Sequence, residues 1–292
     1  MENQEQTINI ARPTTASPKI DVPVEVRSVL GSNNTTPTKT KYPSEPIGLP
    51  SEGYFYSAEN PLSSGIVDIK YMTAREEDIL TSQNLIKKGI VLDRLLESLI
   101  VTPGVKIDDI LIGDKNAIYM AARRLAYGDK YGPLKIKCPT CSEDNETEFD
   151  LAQIQNKPLN TEGLTKGVNS FDYTFPFSKK SITFKFLTHK EEKEIEVETK
   201  SVNKFSKSDT GSELTTRLKY IITSVDGKGD KESIRNFVQN ELLSKDSFEF
   251  RKHMRIVLPD IDMSFNFTCQ SCGNEERMVV PLAAQFFWPD AA

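Results

Sequence analysis

The chain has 292 residues, of which 37% are hydrophobic and 27% charged, and its formal net charge at pH 7 is −5. This length allows one large domain or two of ordinary size, and the composition is typical of a soluble globular protein with a polar segment. No basic stripe indicates a nucleic-acid surface, no apolar run reaches the ~18 residues of a membrane span, and the N-terminus lacks a signal-peptide pattern.

The first predicted segment is an N-terminal arm covering residues 1–48. It is rich in Thr, Pro, Ser and Asn and shows no hydrophobic period. Such a segment buries too little apolar surface to offset the entropy lost on ordering. We therefore expect either a disordered leader or an extended arm that becomes ordered along a partner. In the second case its apolar anchors would be Ile20, Val22, Val24, Val26 and Leu30.

An internal repeat follows the arm. The segment VDIKYMTAREEDI begins at Val67, and the similar segment ITFKFLTHKEEKEI begins at Ile182. Each copy alternates apolar residues, which predicts a strand, and then enters a helix at the T-x-x-E spacing of a capping box. The capping pairs are Thr73 with Glu76 and Thr188 with Glu191.

The repeat continues into two further helices in each copy. Asp114 and Asp246 stand where they could cap the later helix of each copy. Each copy then ends in an alternating strand, a CxxC pair and a second strand. The predicted helical segments are 91–100, 110–128, 214–225 and 241–261.

These patterns predict an α+β fold made of two related strand-plus-helix halves. The first half covers residues 49–157, and the second covers residues 158–292. Each half contributes one cysteine pair, so a site formed by both pairs would join the halves as a split four-cysteine zinc ribbon.

All four cysteines stand in two CxxC pairs, Cys138 with Cys141 and Cys269 with Cys272. Two such turns, called knuckles here, can direct four thiolates at one tetrahedral cation. Zn²⁺ suits four soft ligands with no open position, which indicates a structural metal. Gly273 follows the second knuckle and suits a turn with positive φ, whereas Ser142 stands at that place in the first.

Other interpretations of the cysteines stay open. A thioredoxin-like redox CxxC opens a helix, but both pairs lie between strand patterns. Two disulfides would need an oxidising compartment, whereas we expect this chain in a reducing cytoplasm. Iron can use the same four ligands, as in rubredoxin-type sites. We prefer zinc over iron, redox-active cysteines or metal-free cysteines.

Zinc ribbons often bind nucleic acid, and that function is the alternative prediction for this chain. Five acidic residues surround the first knuckle and would repel phosphate, although Lys135 and Lys137 precede it. We therefore favour a structural clasp over a nucleic-acid-binding regulator or accessory subunit. The acidic residues are Glu143, Asp144, Glu146, Glu148 and Asp150.

No pattern indicates an enzyme. His189 and His253 lie in helical runs, where we expect surface or half-buried side chains rather than a general base. Arg123 and Arg124 are expected on a solvated helix face, and metal binding explains the cysteines better than nucleophilic catalysis does.

The chain ends in an aromatic segment that contains Phe286, Phe287 and Trp288. These side chains could complete the protein's own core. They could instead form an exposed anchor for a partner, because aromatic residues dominate interface hot spots.

Several short motifs occur in order over about residues 47–290: LPSEGYFY, MTAREEDIL, LIKKG, LIGDKNAI, AYGDKYG, CPTC, SVDG, PDID, CQSCG and FFWPD. This series resembles the baseplate hub and hub-assembly protein family of T-even-like contractile-tailed phages. The resemblance implies a structural or assembly role without catalysis, in the host cytoplasm during assembly and in the baseplate of the virion tail. It also implies other baseplate or tail proteins as partners. The arm lies outside the resemblance, and its presence favours a component that extends along neighbouring subunits. No membrane is expected, because no apolar run is long enough to span one. Cys138, Cys141, Cys269 and Cys272 are the functional positions that carry over.

Overall fold

The computed structural model describes residues 43–205, 213–280, 282 and 284–287. They belong to a compact unit that spans Thr40–Ala292. Within the described ranges, no helix is both long enough and apolar enough to cross a membrane. The anchors expected in the arm all lie outside these ranges.

The described residues form a mixed α+β fold of short antiparallel strands and helices. The strands are β1 (Ser44–Gly48), β2 (Ile66–Lys70), β3 (Lys130–Lys137), β4 (Asp144–Asp150), β5 (Phe171–Thr174), β6 (Ser181–Phe184), β7 (Ile222–Val225), β8 (Ser264–Thr268) and β9 (Glu275–Val279). The helices are α1 (Ala74–Thr81), α2 (Gln83–Lys88), α3 (Val91–Leu99), α4 (Ile112–Tyr127), α5 (His189–Phe205), α6 (Glu213–Ile221), α7 (Lys231–Asn236) and α8 (Ser244–Val257), and a π-helical turn follows α7 at Phe237–Glu241.

The strands form three antiparallel pairs, β1–β2, β3–β4 and β8–β9, and a three-stranded sheet in the order β5-β6-β7. The position of β1 differs from the prediction, which extends the arm to residue 48. Ser44 is instead paired with Lys70, and Ile47 packs against the core. The regular structure therefore begins before the predicted boundary.

The capping box of α1 is confirmed, and the start of α5 shows the glutamate half of the second. At the start of α1, Glu76 Oε2 accepts from the backbone N–H of Thr73 at 2.9 Å. At the start of α5, Glu191 Oε2 accepts from the backbone N–H of Thr188 at 2.8 Å. Each glutamate also forms an ion pair with a lysine near the preceding strand's end, Lys70 in the first copy and Lys185 in the second.

The prediction that Asp114 and Asp246 are N-caps is wrong. Leucines hold the N-cap positions of α4 and α8, and both aspartates are buried in the first turn of their helices. Asp114 Oδ1 accepts from the backbone N–H of Ser51 at 2.9 Å, and Asp246 Oδ1 accepts from that of Phe177 at 2.9 Å. Each aspartate thus fixes the turn that follows an earlier strand.

The helix predicted for residues 214–225 ends earlier than expected. α6 stops at Ile221, and the next four residues form β7, which pairs with β6. Ile222, Thr223 and Val225 are β-branched, so they favour an extended backbone wherever a neighbouring strand is available.

The main hydrophobic core draws on both predicted halves and includes Ile69, Leu96, Ile118, Phe184 and Phe250. A second, small cluster surrounds the buried residues Cys138, Phe267 and Cys269.

The core also contains the end of the described chain. Phe286 and Phe287 are buried against Tyr131 and Tyr119, respectively. As buried side chains they are not available as the exposed anchors that the partner interpretation requires, and Trp288 lies outside the described residues.

Two expectations about surface residues are wrong for a common reason. Arg123 is buried because its Nε donates to the carbonyl of Phe286 at 3.0 Å. His189 is also buried, and its ring lies between two charged side chains. Its Nε2 is 3.0 Å from Asp93 Oδ1, and its Nδ1 is 3.4 Å from Lys115 Nζ. In both cases polar groups from other elements meet the side chain inside the protein.

Candidate metal centre

Two hairpins bring the four cysteines together. Cys138 and Cys141 lie in the turn between β3 and β4, and Cys269 and Cys272 lie in the turn between β8 and β9. Alternating strand residues on both sides of each pair build these hairpins, so each knuckle is presented at the tip of a two-stranded sheet.

The first knuckle is closed by two backbone hydrogen bonds. The N–H of Cys138 donates to the carbonyl of Glu143 at 2.9 Å, and the N–H of Ser142 donates to the carbonyl of Cys138 at 2.9 Å. Ser142 has a φ of 61°, in the left-handed region.

The second knuckle repeats this geometry. The N–H of Cys269 donates to the carbonyl of Asn274 at 2.8 Å, and the N–H of Gly273 donates to the carbonyl of Cys269 at 3.0 Å. Gly273 has a φ of 71°, as expected for the glycine at this place. The two turns therefore share one backbone conformation, with serine tolerated where glycine is favoured.

All four sulphur atoms lie within 4.8 Å of one another. The Sγ atoms of Cys138 and Cys272 are 3.7 Å apart, and those of Cys141 and Cys269 are 3.6 Å apart. A disulfide needs about 2.0 Å, so these are free thiols. Four sulphurs held tetrahedrally at about 2.3 Å from a zinc ion stand about 3.8 Å apart, which agrees with both distances.

Burial differs among the four ligand candidates. Cys138 and Cys269 are buried, Cys141 is half-buried and Cys272 is exposed. Apolar side chains pack beneath the cluster, and these are Ile136, Phe265, Phe267 and Met278. The inner side of the site therefore excludes water, which suits a closed structural centre rather than a catalytic one.

The backbone favours the thiolate form of Cys269. The N–H of Cys272 is the main cause, and it lowers the pKa of the Cys269 thiol to about 6 against the opposing effect of burial. The pKa of the Cys141 thiol is raised to about 12, and that of the Cys272 thiol is also raised. Backbone N–H groups lower both values, but burial and hydrogen bonds with neighbouring cysteines outweigh that effect. The local field thus favours the thiolate at Cys269 alone among these three.

Sequence reasoning missed Asn145, which links the two knuckles. Its side chain is only 4% exposed. Asn145 Oδ1 accepts from the N–H of Gln270 at 2.8 Å, and Nδ2 donates to the carbonyl of Glu143 at 3.0 Å and lies 3.5 Å from Cys269 Sγ. The only hint in the sequence is one neutral amide within an acidic run.

A model of the family described as "T4 bacteriophage base plate protein" matches residues 54–288. The match covers most of the chain and includes both hairpins and all four cysteines. No curated protein and no solved structure shows a significant match to the chain.

Proposed function

The chain belongs to the T4 bacteriophage base plate protein family, and from that premise we propose that it is a structural or assembly component of the hub or inner baseplate of a contractile tail. Membership implies a location in the virion tail. We further propose a non-catalytic role, assembly in the host cytoplasm, and other tail proteins as partners. The family match over residues 54–288 is the observation that carries this proposal.

We propose that the four cysteines hold a structural Zn²⁺. The donor set fits this ion because four thiolates complete a tetrahedral shell, and the Cys138–Cys272 and Cys141–Cys269 sulphur separations of 3.7 and 3.6 Å agree with that shell. The bound ion would supply four metal–sulphur bonds and no reaction. Cys141 and Cys269 are 128 positions apart, so the protein's own residues would close a long loop and fix the two hairpins against each other.

The proposed division into two related halves is supported by matching contacts. Each half pairs a capping glutamate with a lysine, Glu76 with Lys70 and Glu191 with Lys185. Each half also places one knuckle at the tip of an antiparallel hairpin. A clasp at the two knuckles would then join equivalent ends of the two halves.

Quantitative mass spectrometry of purified tails and of tail-assembly intermediates tests the proposed function. We expect the protein at a fixed ratio to known tail proteins in at least one of these particles. Its absence from both would contradict the proposal. Salt-dependent binding of the purified protein to DNA or RNA at about micromolar concentration would favour the nucleic-acid alternative instead.

A further inference from the structure

Helices α4 and α8 begin in the same way. Each has a leucine N-cap, Leu111 in α4 and Leu243 in α8. Each then buries an aspartate in its first turn, Asp114 and Asp246, which accepts a backbone N–H from a turn after an earlier strand. These shared contacts align the two helices residue by residue.

The outer face of α4 is covered by other parts of the chain. Gly113 lies so close to the backbone that an added Cβ would be 1.8 Å from the carbonyl oxygen of Pro259. Met120 is buried in the core, and Arg123 donates to the carbonyl of Phe286. The covering groups come from the segment after α8 and from the described C-terminal segment.

The corresponding face of α8 is open. The positions that match Gly113, Met120 and Arg123 hold three exposed cations, Lys245, Lys252 and Arg255, respectively. Two large apolar side chains lie among these cations. They are Phe248, which is 59% exposed, and Ile256, which is 70% exposed.

These five side chains form one continuous face. At 3.6 residues per turn they fall within an arc of about 100° around α8. Phe177, which is 52% exposed, extends the face at the first turn of α8. Its ring centroid is 5.5 Å from Lys245 Nζ. We call these six residues the α8 surface: Phe177, Lys245, Phe248, Lys252, Arg255 and Ile256.

The α8 surface is held in place before any partner arrives. The N–H groups of Phe177 and Ser178 both donate to Asp246 at 2.9 Å, which fixes the turn that carries the Phe177 ring. Phe248 and Ile256 stand on a regular helix. Binding through this surface therefore orders little additional chain, which reduces the entropic cost of association.

Charge identifies the kind of partner. Within the described part of the chain, Lys245, Lys252 and Arg255 form no ion pair, although the whole chain has a net charge of −5. Two α8 surfaces packed against each other would bring like charges together, which disfavours self-association. The tight backbone contact that Gly113 makes in α4 is also impossible at the matching position of α8, because Lys245 has a Cβ. Duplex nucleic acid would neutralise the cations, but its bases are already stacked, so the exposed apolar side chains would be left without partners.

We propose that the α8 surface binds a partner protein through a face that combines acidic and apolar side chains. Phe248 and Phe177 are the aromatic anchors, and the three cations interspersed with the apolar residues set orientation and association rate. The inference depends on the proposed function in one respect, namely that the partner is another protein of the tail.

The first test is incorporation into tails by phage that lack the gene and are complemented with variants. The double variant Phe248→Ser, Lys252→Glu should keep the thermal transition and metal content of the wild-type protein. Its incorporation into tails should fall by about tenfold or more, because both an aromatic anchor and a cation of the surface are lost. The matched control, Val197→Ser with Lys190→Glu, changes an exposed apolar residue and an exposed cation on α5 and should be incorporated normally.

The second test places a photo-crosslinking phenylalanine analogue at position 248 in assembled tails. We expect crosslinked peptides from another tail protein, with Asp or Glu next to an apolar residue. Crosslinks to a second copy of this chain or to nucleic acid would overturn the proposal, as would normal incorporation of the double variant. If the wild-type protein itself is absent from tails and intermediates, both this proposal and the proposed function fail. Presence of the wild-type protein with normal incorporation of the double variant contradicts this proposal alone.

Discussion

The residue after the second cysteine of each knuckle adopts a left-handed backbone, with φ of 71° at Gly273 and 61° at Ser142. A Cβ in this region costs about 1–2 kcal/mol, partly offset because alanine restricts the unfolded chain more than glycine does. Gly273→Ala should therefore lower the free energy of unfolding by about 1 kcal/mol. Urea denaturation of the metal-loaded protein measures this change.

Ser142→Gly is the reciprocal variant for that experiment. It removes a Cβ from the same backbone conformation, so it should leave stability unchanged or raise it by up to about 1 kcal/mol. A Gly273→Ala protein as stable as wild type, or a clear loss of stability in Ser142→Gly, would contradict the shared knuckle conformation.

Asn145 carries a prediction about metal affinity. Its side chain bonds the backbone of both knuckles, with Gln270 at 2.8 Å and Glu143 at 3.0 Å. Loss of such supporting contacts around metal ligands usually weakens binding by about 10–100-fold. Asn145→Ala should therefore lose zinc to a competing chelator at correspondingly lower chelator concentration. Asn274→Ala keeps its backbone bond to Cys269 and serves as the control, and equal affinity of the two variants would contradict this role.

The sequence identifies residues whose signal is local and misses those whose partners are distant. The cysteine spacing and the T-x-x-E pairs can be recognised within four positions of the chain. Asn145, by contrast, is hydrogen-bonded to Gln270, 125 positions later in the chain. Arg123 is hydrogen-bonded to Phe286, 163 positions later. The sequence alone does not show these partners, which is why Arg123 is predicted on a solvated face and His189 at the surface or half-buried.

At the scale of elements, the start of α1 depends on an ion pair inside the protein. Burial alone would raise the pKa of Glu76, but the Lys70 ammonium and the hydroxyls of Ser98 and Thr73 lower it from 4.5 to about 2. Because the pKa of Glu76 is lower in the folded protein than in the unfolded chain, its ionised carboxylate stabilises the fold. This stabilisation is complete above pH 4.5 and is lost as the pH falls towards 2. Glu76→Gln should therefore lose about 3 kcal/mol at pH 7 and much less near pH 2. Unfolding of both proteins at each pH measures the difference.

Glu191→Gln at the start of α5 is the matched variant. The Glu191 side chain is 15% exposed and its partner Lys185 is 32% exposed, whereas Glu76 is fully buried. Solvent screens the second pair more, so its loss should be about half as large or less. A greater effect at Glu191 than at Glu76 would show that burial does not set the strength of these pairs.

For Gly113 in α4 we predict an effect on stability opposite to the one that helix propensity alone would give. Alanine is favoured over glycine by about 1 kcal/mol inside a helix. At Gly113, however, the new Cβ would meet the Pro259 carbonyl oxygen at 1.8 Å. Gly113→Ala should therefore destabilise the protein by about 3 kcal/mol or more, measured as a lower midpoint of thermal unfolding. Gly48→Ala, with no atom within 4 Å of the new Cβ, is the control, and equal midpoints would contradict the close contact.

Elements with a strong internal period could be predicted, whereas elements that depend on a neighbour could not. The 3.6-residue period of α3 and the caps of α1 and α5 are visible in the chain. β7 was predicted as the end of a helix, because only pairing with β6 makes Ile222–Val225 a strand. β1 was assigned to the arm for the same reason, since its partner β2 lies beyond the following turns.

At the scale of the whole molecule, the four cysteines should behave as one site. Cys272 is exposed, so its removal costs little packing. If all four thiolates share one ion, Cys272→Ser should lose nearly all bound metal and destabilise the fold as much as Cys141→Ser does. Two independent two-cysteine sites would instead leave about half of the metal in each variant. Metal content and thermal unfolding of the two variants separate these outcomes.

Metal analysis of the purified wild-type protein tests the zinc clasp most directly. The protein is purified without added metal, its metal content is measured by mass spectrometry, and its ligand shell by X-ray absorption. We predict one zinc ion per chain, bound by four sulphur atoms at about 2.3 Å. Less than about half an equivalent of zinc or iron per chain in a folded, soluble sample would contradict the clasp.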